Sequence, residues 1–569
     1  MKYKEFKPNW RTSVGDNNSF RNLFRWGNPE YMEEPTEGFY QYIKESLGLS
    51  DEDFILSSNE GEDKIDIDIP TRLKKEHIDE FIDIVGQVNV ATDTLTRLKS
   101  CYNKGVLDSM RLRRHIVENL PDVVLMPSSE EQVRMILKYC VKNNIPIYPL
   151  GGATNMTYAN ECIKGGVKLN FRRNFNKVIS FNEIDQTVTV MPGITGPQLE
   201  DILNNANEYF TNVTGRYTLG HVPESFEFST VGGWLATRAI GQATLKYGSI
   251  DDMVLSATYL TPKGDICTFN CNRDCGMPSF DELFMGTDGQ LGLIVSVTLK
   301  VRRYTYDSKK FFSYIFKDWD TACRCVKDLL QREIGLPSVL RLCDSDSTEQ
   351  YIRMSKLIGR GPFATIMERL GNVEGSRCMM LGYTEGEKSY SSYVKRNLYR
   401  HALRYGAYTA TGKLAKKWEK TRFNNAYTRD ILQDYDIILD KIICNVTWSS
   451  LQEIYPIVKD FFNDKDVLNM IHLTDMTPHG CLMNIIYVSK YASIDEFEKF
   501  YNEVIDMLVL AGALAPRSNS IGNNSNHLLS SVSESYISLL KAVKKHLDPK
   551  NILNPSGYIS AFRQDKNEK

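Results

Sequence analysis

The sequence predicts an α+β fold of two domains behind an amino-terminal helical arm. Three observations carry this expectation. Between Val123 and Leu150 a strand, an amphipathic helix and a second strand follow one another. From there to Arg303 short β-branched runs dominate and helices are few. From residue 304 to 535 strands alternate with long amphipathic helices, as in a separate sheet with its own cover. The expected division is an arm over 1–118, a first domain over 119–303, a second over 304–535, and a carboxyl-terminal segment over 536–569.

The elements follow in order. "TEGFYQYIKESLG" reads as a helix of the arm, and "FRWGNPEY" (24–31) places Trp26 and Gly27 in a turn. "VVLMP" is a short buried strand. Ser128 and Glu131 have capping-box spacing at the start of the next helix. Val133, Ile136, Leu137 and Cys140 then recur at helical spacing and give it one apolar stripe. "IPIYPL" is the following strand, and it delivers the chain to Gly151 and Gly152. "GGVKLNF", "KVISFN" and "TVTVMPG" continue as strands, with a turn at Asp185-Gln186. Thr195 and Gln198 fit a second capping box. "MVLSATYLTPKGDICTF" reads as a hairpin around Pro-Lys-Gly-Asp, and "GLIVSVTLKVRR" as a strand. Beyond residue 304, "KKFFSYIF" and "CLMNIIYVS" are strands, while "WDTACRCVKDLLQRE" and "IDEFEKFYNEVIDMLVL" are amphipathic helices. The tail is a helix stopped at Asp548-Pro549, then an extended segment.

Composition narrows the class. With 42% hydrophobic and 25% charged residues among 569, the chain can build a large core. A formal net charge of −2 lacks the basic footprint of a general nucleic-acid binder. The twelve cysteines include no CxxC pair, and Cys271/Cys275 has no second pair at zinc spacing, so no metal is expected. "MKYKEFKPNW" is charged and carries no apolar signal core. The apolar run "MLVLAGALA" (507–515) is far shorter than the roughly 20 residues a spanning helix needs. A cytoplasmic protein with reduced thiols is expected, with peripheral membrane contact and a homodimer left open.

Three segments carry chemistry. "IPIYPLGGATNMTYANE" (145–161) runs from a strand into a glycine pair, which lets a backbone approach a phosphate closely; a plain turn accounts for it equally well. It is neither a GxGxxG fingerprint nor a Walker loop. "GHVPESFEFSTVGGWLATRAIGQATLKYG" (220–248) gathers Ser229, Thr230, Gly232, Gly233, Thr237 and Arg238. Hydroxyls, bare backbone and a cation together suit a diphosphate and a polar ring edge. "FMGTDGQLGLIVSVTLKV" (284–301) punctuates a turn with Gly286, Gly289 and Gly292.

Three such segments in this order resemble the FAD domain of the vanillyl-alcohol oxidase/p-cresol methylhydroxylase flavoproteins, and above all the alkyldihydroxyacetonephosphate synthases. "PLGGATNMTYA", "GITGPQLE", "PESFEFSTVGGWLATRAIG", "MGTDGQLGLI", the "WG" arm and "LDPKNILNP" all carry the likeness. The resemblance implies a bipartite FAD-binding domain of p-cresol methylhydroxylase type, completed by the carboxyl-terminal segment, and an α/β cap domain that takes the substrate. It places FAD contacts on Pro149, Leu150, Gly151, Gly152, Ala153, Thr154 and Asn155, then on Glu224, Ser225, Phe226, Glu227, Phe228, Ser229 and Thr230. Further contacts fall on Thr237, Arg238, Ala239 and Ile240, and on Gly286, Thr287, Asp288, Gly289, Gln290, Leu291 and Gly292. No histidine or cysteine stands near Gly152 to tether a flavin, so FAD is expected to be non-covalent. His221 is the nearest histidine to the second segment, and a second-layer role is expected for it.

The resemblance also places catalytic and substrate residues. "GLPSVLRLCDS" puts Arg341 at a family arginine with one residue added, and "WEKTRFNNAYTRDIL" puts Arg429 at a substrate-phosphate position. Two departures stand out. The family's catalytic tyrosine corresponds to Asn484 in "HGCLMNIIYV". Its run of histidines corresponds to Arg517, Ser518 and Asn519, none of which titrates near neutrality. Tyr427, His472 and His479 are the groups that could act instead. Arg341, Tyr427 and His479 are therefore the catalytic candidates, and Arg429, Arg341 and Asn484 the substrate-binding ones. Three functions remain open: an FAD-dependent oxidoreductase moving hydride to flavin N5 from an alcohol or 2-hydroxy acid with an anionic group; a divergent alkyldihydroxyacetonephosphate synthase exchanging acyl for alkyl through a flavin N5 adduct in ether-lipid synthesis; and a catalytically silent flavin-binding protein. The expected partner is a small or lipid-like anionic substrate.

Overall fold

Four strands, β1 (Val90–Ala91), β2 (Val123–Leu125), β3 (Ile147–Leu150) and β4 (Val167–Asn170), form a first sheet in the order β1-β2-β4-β3. In this computed structural model the described residues are 6–12, 16–25, 34–57, 61–159, 161–269, 278–305, 308–332, 334–355, 375–513 and 532–561. Trp26 and Gly27, Cys271 and Cys275, and Arg517, Ser518 and Asn519 lie outside them. β2 and β3 both run parallel to β4, so the chain between them must cross over, and helix Glu130–Asn143 does so. Its buried residues are the predicted stripe, Val133, Ile136, Leu137 and Cys140. The cap lies one residue later than the spacing suggested: the Ser129 hydroxyl accepts from Gln132 N at 3.3 Å, while Ser128 N donates to Gln132 Oε1 at 2.8 Å.

The carboxyl-terminal segment extends this sheet. Leu553 bridges Ile147 in parallel, Ile147 N donates to Ile552 O at 2.8 Å, and Asn554 N returns a bond to Ile147 O at 2.8 Å. Helix Glu534–Leu547 leads in, and its buried Lys544 donates to Gln290 O, Leu553 O and Asp548 Oδ2 at 2.6–2.7 Å.

Downstream come β5 (Val178–Asn182), β6 (Thr187–Val190), β7 (Tyr217–Thr218), β8 (Val254–Thr261), β9 (Gly264–Cys267), β10 (Leu293–Lys300) and β11 (Arg302–Arg303). Five of them make an antiparallel sheet in the order β5-β6-β10-β8-β9, and β7 pairs with β11. The Thr195–Gln198 capping box is present, with Thr195 N donating to Gln198 Oε1 at 3.0 Å. The β8–β9 hairpin turns at Pro262-Lys263, and Gly264 follows at φ 143°, a value few other residues adopt.

Residues 310–490 build the largest sheet: β12 (Lys310–Phe316), β13 (Val339–Cys343), β14 (Cys378–Thr384), β15 (Tyr408–Ala410), β16 (Ile437–Thr447), β17 (Leu468–Thr474) and β18 (Gly480–Lys490). It is antiparallel throughout, in the order β15-β12-β14-β13-β17-β18-β16. Alternate residues face opposite sides. Leu342, Met380, Ile442, Ile471 and Ile485 pack under helices Trp319–Gln331, Lys388–Arg404, Trp448–Asn463 and Ile494–Leu510. The opposite face sends Ile315, Val339, Met379 and Leu381 into one cluster with Leu219, Ala243 and Tyr247 of the preceding domain. The two domains therefore share a core along that face.

The arm braces this arrangement. Arg21 and Arg113 reach Asp430 and Asp434 at 2.7–3.0 Å, all four nearly or fully buried. Phe39, Tyr40 and Ile43 of helix Glu37–Ser46 pack on Tyr435, Ile437 and Met470. Among the described residues no helix is long and apolar enough to cross a membrane.

Candidate functional site

The three glycine-bearing segments meet in one crevice. Pro149, Leu150, Gly151 and Asn155 line it from the first segment, Thr230, Gly232, Gly233, Ala236 and Thr237 from the second, and Asp288, Gly289 and Gly292 from the third. Three of their glycines are spatially necessary. A Cβ on Gly151 would lie 2.3 Å from Thr230 Oγ1, one on Gly232 2.5 Å from Pro192 Cβ, and one on Gly289 2.5 Å from Pro149 Cγ. The result is a narrow slot of bare backbone with the Thr230 and Thr237 hydroxyls and the Asn155 amide, and with no lysine or arginine in its lining among the described residues. Such a slot fits a diphosphate held by backbone N–H groups rather than by cations.

Several expected contacts are committed elsewhere. Gly152 is required by the protein's own backbone, since a Cβ there would stand 2.1 Å from Phe228 O. Ala153, at φ 54°, and Thr154 continue that turn. Arg238 closes helix Val231–Thr237 in the left-handed region, which aims its guanidinium at Met285 O (3.3 Å) and Glu282 O (2.6 Å). It ties the second segment to the third through these carbonyls. Gln290 is fully buried; its oxygen accepts from Ile559 N (2.9 Å) and its amide donates to Thr287 O, so it anchors the tail. Thr287 Oγ1 donates to Phe284 O at 2.7 Å, Ser229 Oγ accepts from Trp234 Nε1 at 2.7 Å, and Leu291 is sealed in the core.

The remaining residues of the second and third segments have mixed surroundings. Ser225 O accepts from Phe228 N and Ser229 N, closing a turn. Phe226 stacks on Phe423 of the cap at 6.0 Å, and Arg172 lies 5.7 Å over Phe228. Ala239 N bonds Trp234 O, Ile240 is half-buried, and Gly286 N bonds Leu235 O. Burial raises the Glu227 carboxyl. His221 is fully buried against Trp234, and burial pushes it down to about 3, so it is neutral.

A second group of side chains gathers on the cap sheet. Cys343 pairs with His472, His472 with Asn484, and Asn484 with Ile443, so these four share a face with Arg341 and Lys441, each two residues along its strand. Lys441 is ion-paired and hydrogen-bonded to Glu224 of the second segment. Arg429, on helix Asn425–Gln433, enters with Nη2 4.0 Å from Asp440 Oδ1. Electrostatics confirm the proximity. Burial raises Glu224, but Lys441, Arg341 and Arg429 together overcome it and hold the carboxyl below its usual range. Burial, and then Arg341 and Lys441, push His472 well below the usual histidine value, and its Nδ1 is buried without a partner. Burial raises Asp440, with Arg429 opposing. Asn484 donates to Thr474 Oγ1 at 2.8 Å and His472 O at 3.3 Å.

Tyr427 is buried on the helix that carries Arg429, and its hydroxyl has no partner. Burial raises its pKa, as does the charge of Glu227. His479 is not brought in. It sits exposed in the turn between β17 and β18, where Thr477 Oγ1 caps its N–H, so it is withdrawn as a catalytic candidate. His472 is the histidine that the sheet delivers. Lys441 was missed, although a charged pair, Asp440-Lys441, inside "IILDKIICNV" was the available signal.

The comparisons agree with this geometry. Residues 121–270 match the family model described as "FAD binding domain", and residues 307–557 match "FAD linked oxidases, C-terminal domain". The alkyldihydroxyacetonephosphate synthase of Dictyostelium discoideum is 25% identical over 565 residues, covering 95% of this chain and 90% of that protein. The glycolate oxidase subunit GlcD of Bacillus subtilis (strain 168) is 22% identical over 459 residues, covering 77% of this chain and 89% of that one. A solved structure of an alkyldihydroxyacetonephosphate synthase superposes with a TM-score of 0.72 at 24% identity, covering 86% of each chain, a likeness of fold. The chain therefore belongs to the FAD-linked oxidase flavoproteins, enzymes that join an FAD-binding domain to a carboxyl-terminal oxidase domain, and its cofactor is FAD.

Proposed function

We propose that the protein oxidises an alcohol or 2-hydroxy acid that carries an anionic group. The observation that supports it is a neutral histidine, His472, beside Arg341 and Lys441, which with Arg429 also surround Glu224. FAD, with its diphosphate along the glycine-lined crevice, supplies the hydride acceptor when bound. The chain's own residues do the rest. Arg341 and Arg429 bind the anionic group, and Arg429 orients it through the planar fork of its guanidinium. His472 accepts the substrate's hydroxyl proton at its unpartnered Nδ1.

Burial first, and then the positive charge of Arg341 and Lys441, keeps His472 a weak base. An arriving carboxylate or phosphate neutralises that field and raises the histidine's pKa at the moment a base is needed. The glycolate oxidase relative supports a hydroxy-acid substrate. A second reading, acyl-to-alkyl exchange, is favoured by the match to a synthase over nearly the whole chain. Anaerobic mixing with a panel of hydroxy acids and glycerone phosphate esters, followed by flavin absorbance, separates the two. Oxidation bleaches the flavin persistently until oxygen is admitted. Product formed without net bleaching would overturn the oxidase reading in favour of exchange.

A further inference from the structure

A second cavity, of about 340 Å³, lies between the two domains away from the diphosphate crevice. Phe226 and Glu200 wall it from the FAD-binding side, and Tyr304, Thr305, Tyr383 and Arg422 from the cap side. Its volume falls in the range of small-molecule pockets. Most charges around it are satisfied. Lys309 pairs with Glu419 at 2.5 Å and Glu385 at 3.7 Å. Glu200 accepts from Thr218 Oγ1, Leu219 N, Gly220 N and Asn204 Nδ2 at 2.8–3.2 Å. Tyr247 donates to Glu385 at 2.9 Å.

Arg422 touches the Tyr383 hydroxyl but keeps donors in reserve. Its Nε and Nη1 are buried without a hydrogen-bond partner, and Thr305 Oγ1 is likewise buried and unpartnered. The guanidinium carbon stands 4.9 Å from the Phe423 ring centroid, on the cavity wall. Leaving such donors unmet is costly, so the cavity is built for an acceptor. Arg422 and Arg341 lie 6.0 Å from the same Trp418 ring, so the cavity neighbours the cationic group around His472 but has its own arginine.

We propose that this cavity is a binding site for a small organic oxyanion, a carboxylate or phosphate group on a flat body. The anionic oxygens take the free N–H groups of Arg422, and the body packs between Phe226, Tyr304 and Tyr383. Because the walls come from both domains, the ligand joins them. The site is independent of the substrate reading above.

The test is calorimetric titration of the FAD-loaded protein with benzoate and phenyl phosphate, with inorganic phosphate as a third arm. Saturable binding of an aromatic probe at millimolar concentration or tighter is expected. Benzoate against phenyl phosphate tells carboxylate from phosphate preference, and inorganic phosphate reads what the body contributes. Arg422→Gln should weaken binding at least about tenfold and Arg422→Lys less, while Arg429→Ala should leave it unchanged. FAD content checks that each variant is folded. If the Arg422 variants do not fold, Tyr304→Leu must weaken both aromatic probes and spare inorganic phosphate. No binding of any probe to the parent protein, wild-type affinity in Arg422→Gln, or equal loss in Arg429→Ala would each overturn the proposal.

Discussion

Lys441, on the outermost strand of the cap sheet, is ion-paired with Glu224 of the second glycine-bearing segment, 217 residues away in sequence. This contact joins the sheet that carries His472 to the segment that lies along the FAD crevice. Glu224 is held below its usual pKa, so its contribution to stability is present above the ordinary glutamate range and is lost as pH falls through the lowered folded value. Glu224→Gln should therefore lower Tm at pH 7. The difference from wild type should shrink below pH 4.5, the ordinary value. Thermal melts of both proteins across pH check it. A difference that is constant with pH would remove the ion pair as its cause.

The glycine requirement divides into two kinds, and the division can be measured. Gly151 lines the crevice, whereas Gly152 presses on Phe228 O. Gly151→Val should release FAD from a protein that keeps most of its secondary structure. Gly152→Val should destabilise the FAD-free protein as well, because the colliding atom is backbone that cannot move aside. Circular dichroism melts with and without FAD distinguish them. In the parent protein, acid or heat should release free FAD, because no tether is expected.

How far the sequence reveals such things depends on range. Thr195 and Gln198 are three residues apart, so their mutual cap was legible; Asp548-Pro549 marked where the last helix stops, while the tail's place beside β3 is a contact between residues about 400 apart that no local pattern reveals. The Glu224–Lys441 pair was not legible either, because no local pattern couples residues so distant. Arg238 and Gln290 have protein partners that the sequence does not reveal, for a different reason. The left-handed backbone at Arg238 and the tail crossing Gln290 turn both side chains to carbonyl and amide partners within the protein, and neither is a local feature of the sequence. Strand alternation separates His472 from His479: one lies within β17 and the other in the turn beyond it.

Buried and neutral, His472 should act as the base. Its depressed pKa means that the unfolded chain binds a proton more readily, so stability should decline as pH falls below 6.5. His472→Gln should lower kcat by roughly 10²–10⁴-fold with little change in KM, and it should reduce that acid-side loss of stability. Steady-state kinetics with pH-dependent melts check both. A variant with unchanged kcat would take the proton-transfer role from His472.

The arm's ion network should prove essential to the helix that presents Arg429. Asp434 is fully buried between Arg21 and Arg113 at 2.8 and 2.9 Å. Breaking one member of such a buried network costs about 3–5 kcal/mol, because the arginines are left without their counter-charge. Asp434→Asn should lose stability on that scale in denaturant unfolding. A loss below about 1 kcal/mol would assign the pairs the value of exposed ones.

Arg429 tests the anion clamp directly. Its partners within the protein are weak, Asp440 Oδ1 at 4.0 Å from Nη2 and Met156 Sδ at 4.0 Å from Nη1, so the guanidinium retains donors for a substrate. A charge-assisted hydrogen bond contributes on the order of 1.5–3 kcal/mol, and Arg429→Ala should therefore weaken substrate binding roughly 10- to 150-fold. FAD content should not change, since Arg429 is absent from the crevice lining. Arg429→Lys should recover only part of the affinity, because an ammonium keeps the charge but loses the planar fork. Asp440 supplies an internal control. With Arg429 removed, nothing of equal strength opposes its burial, so it should take up a proton at higher pH in Arg429→Ala than in the parent protein. Substrate titration of flavin absorbance in the three proteins, repeated at two pH values, measures both effects. Equal affinities across all three would exclude Arg429 from the site and leave anion binding to Arg341.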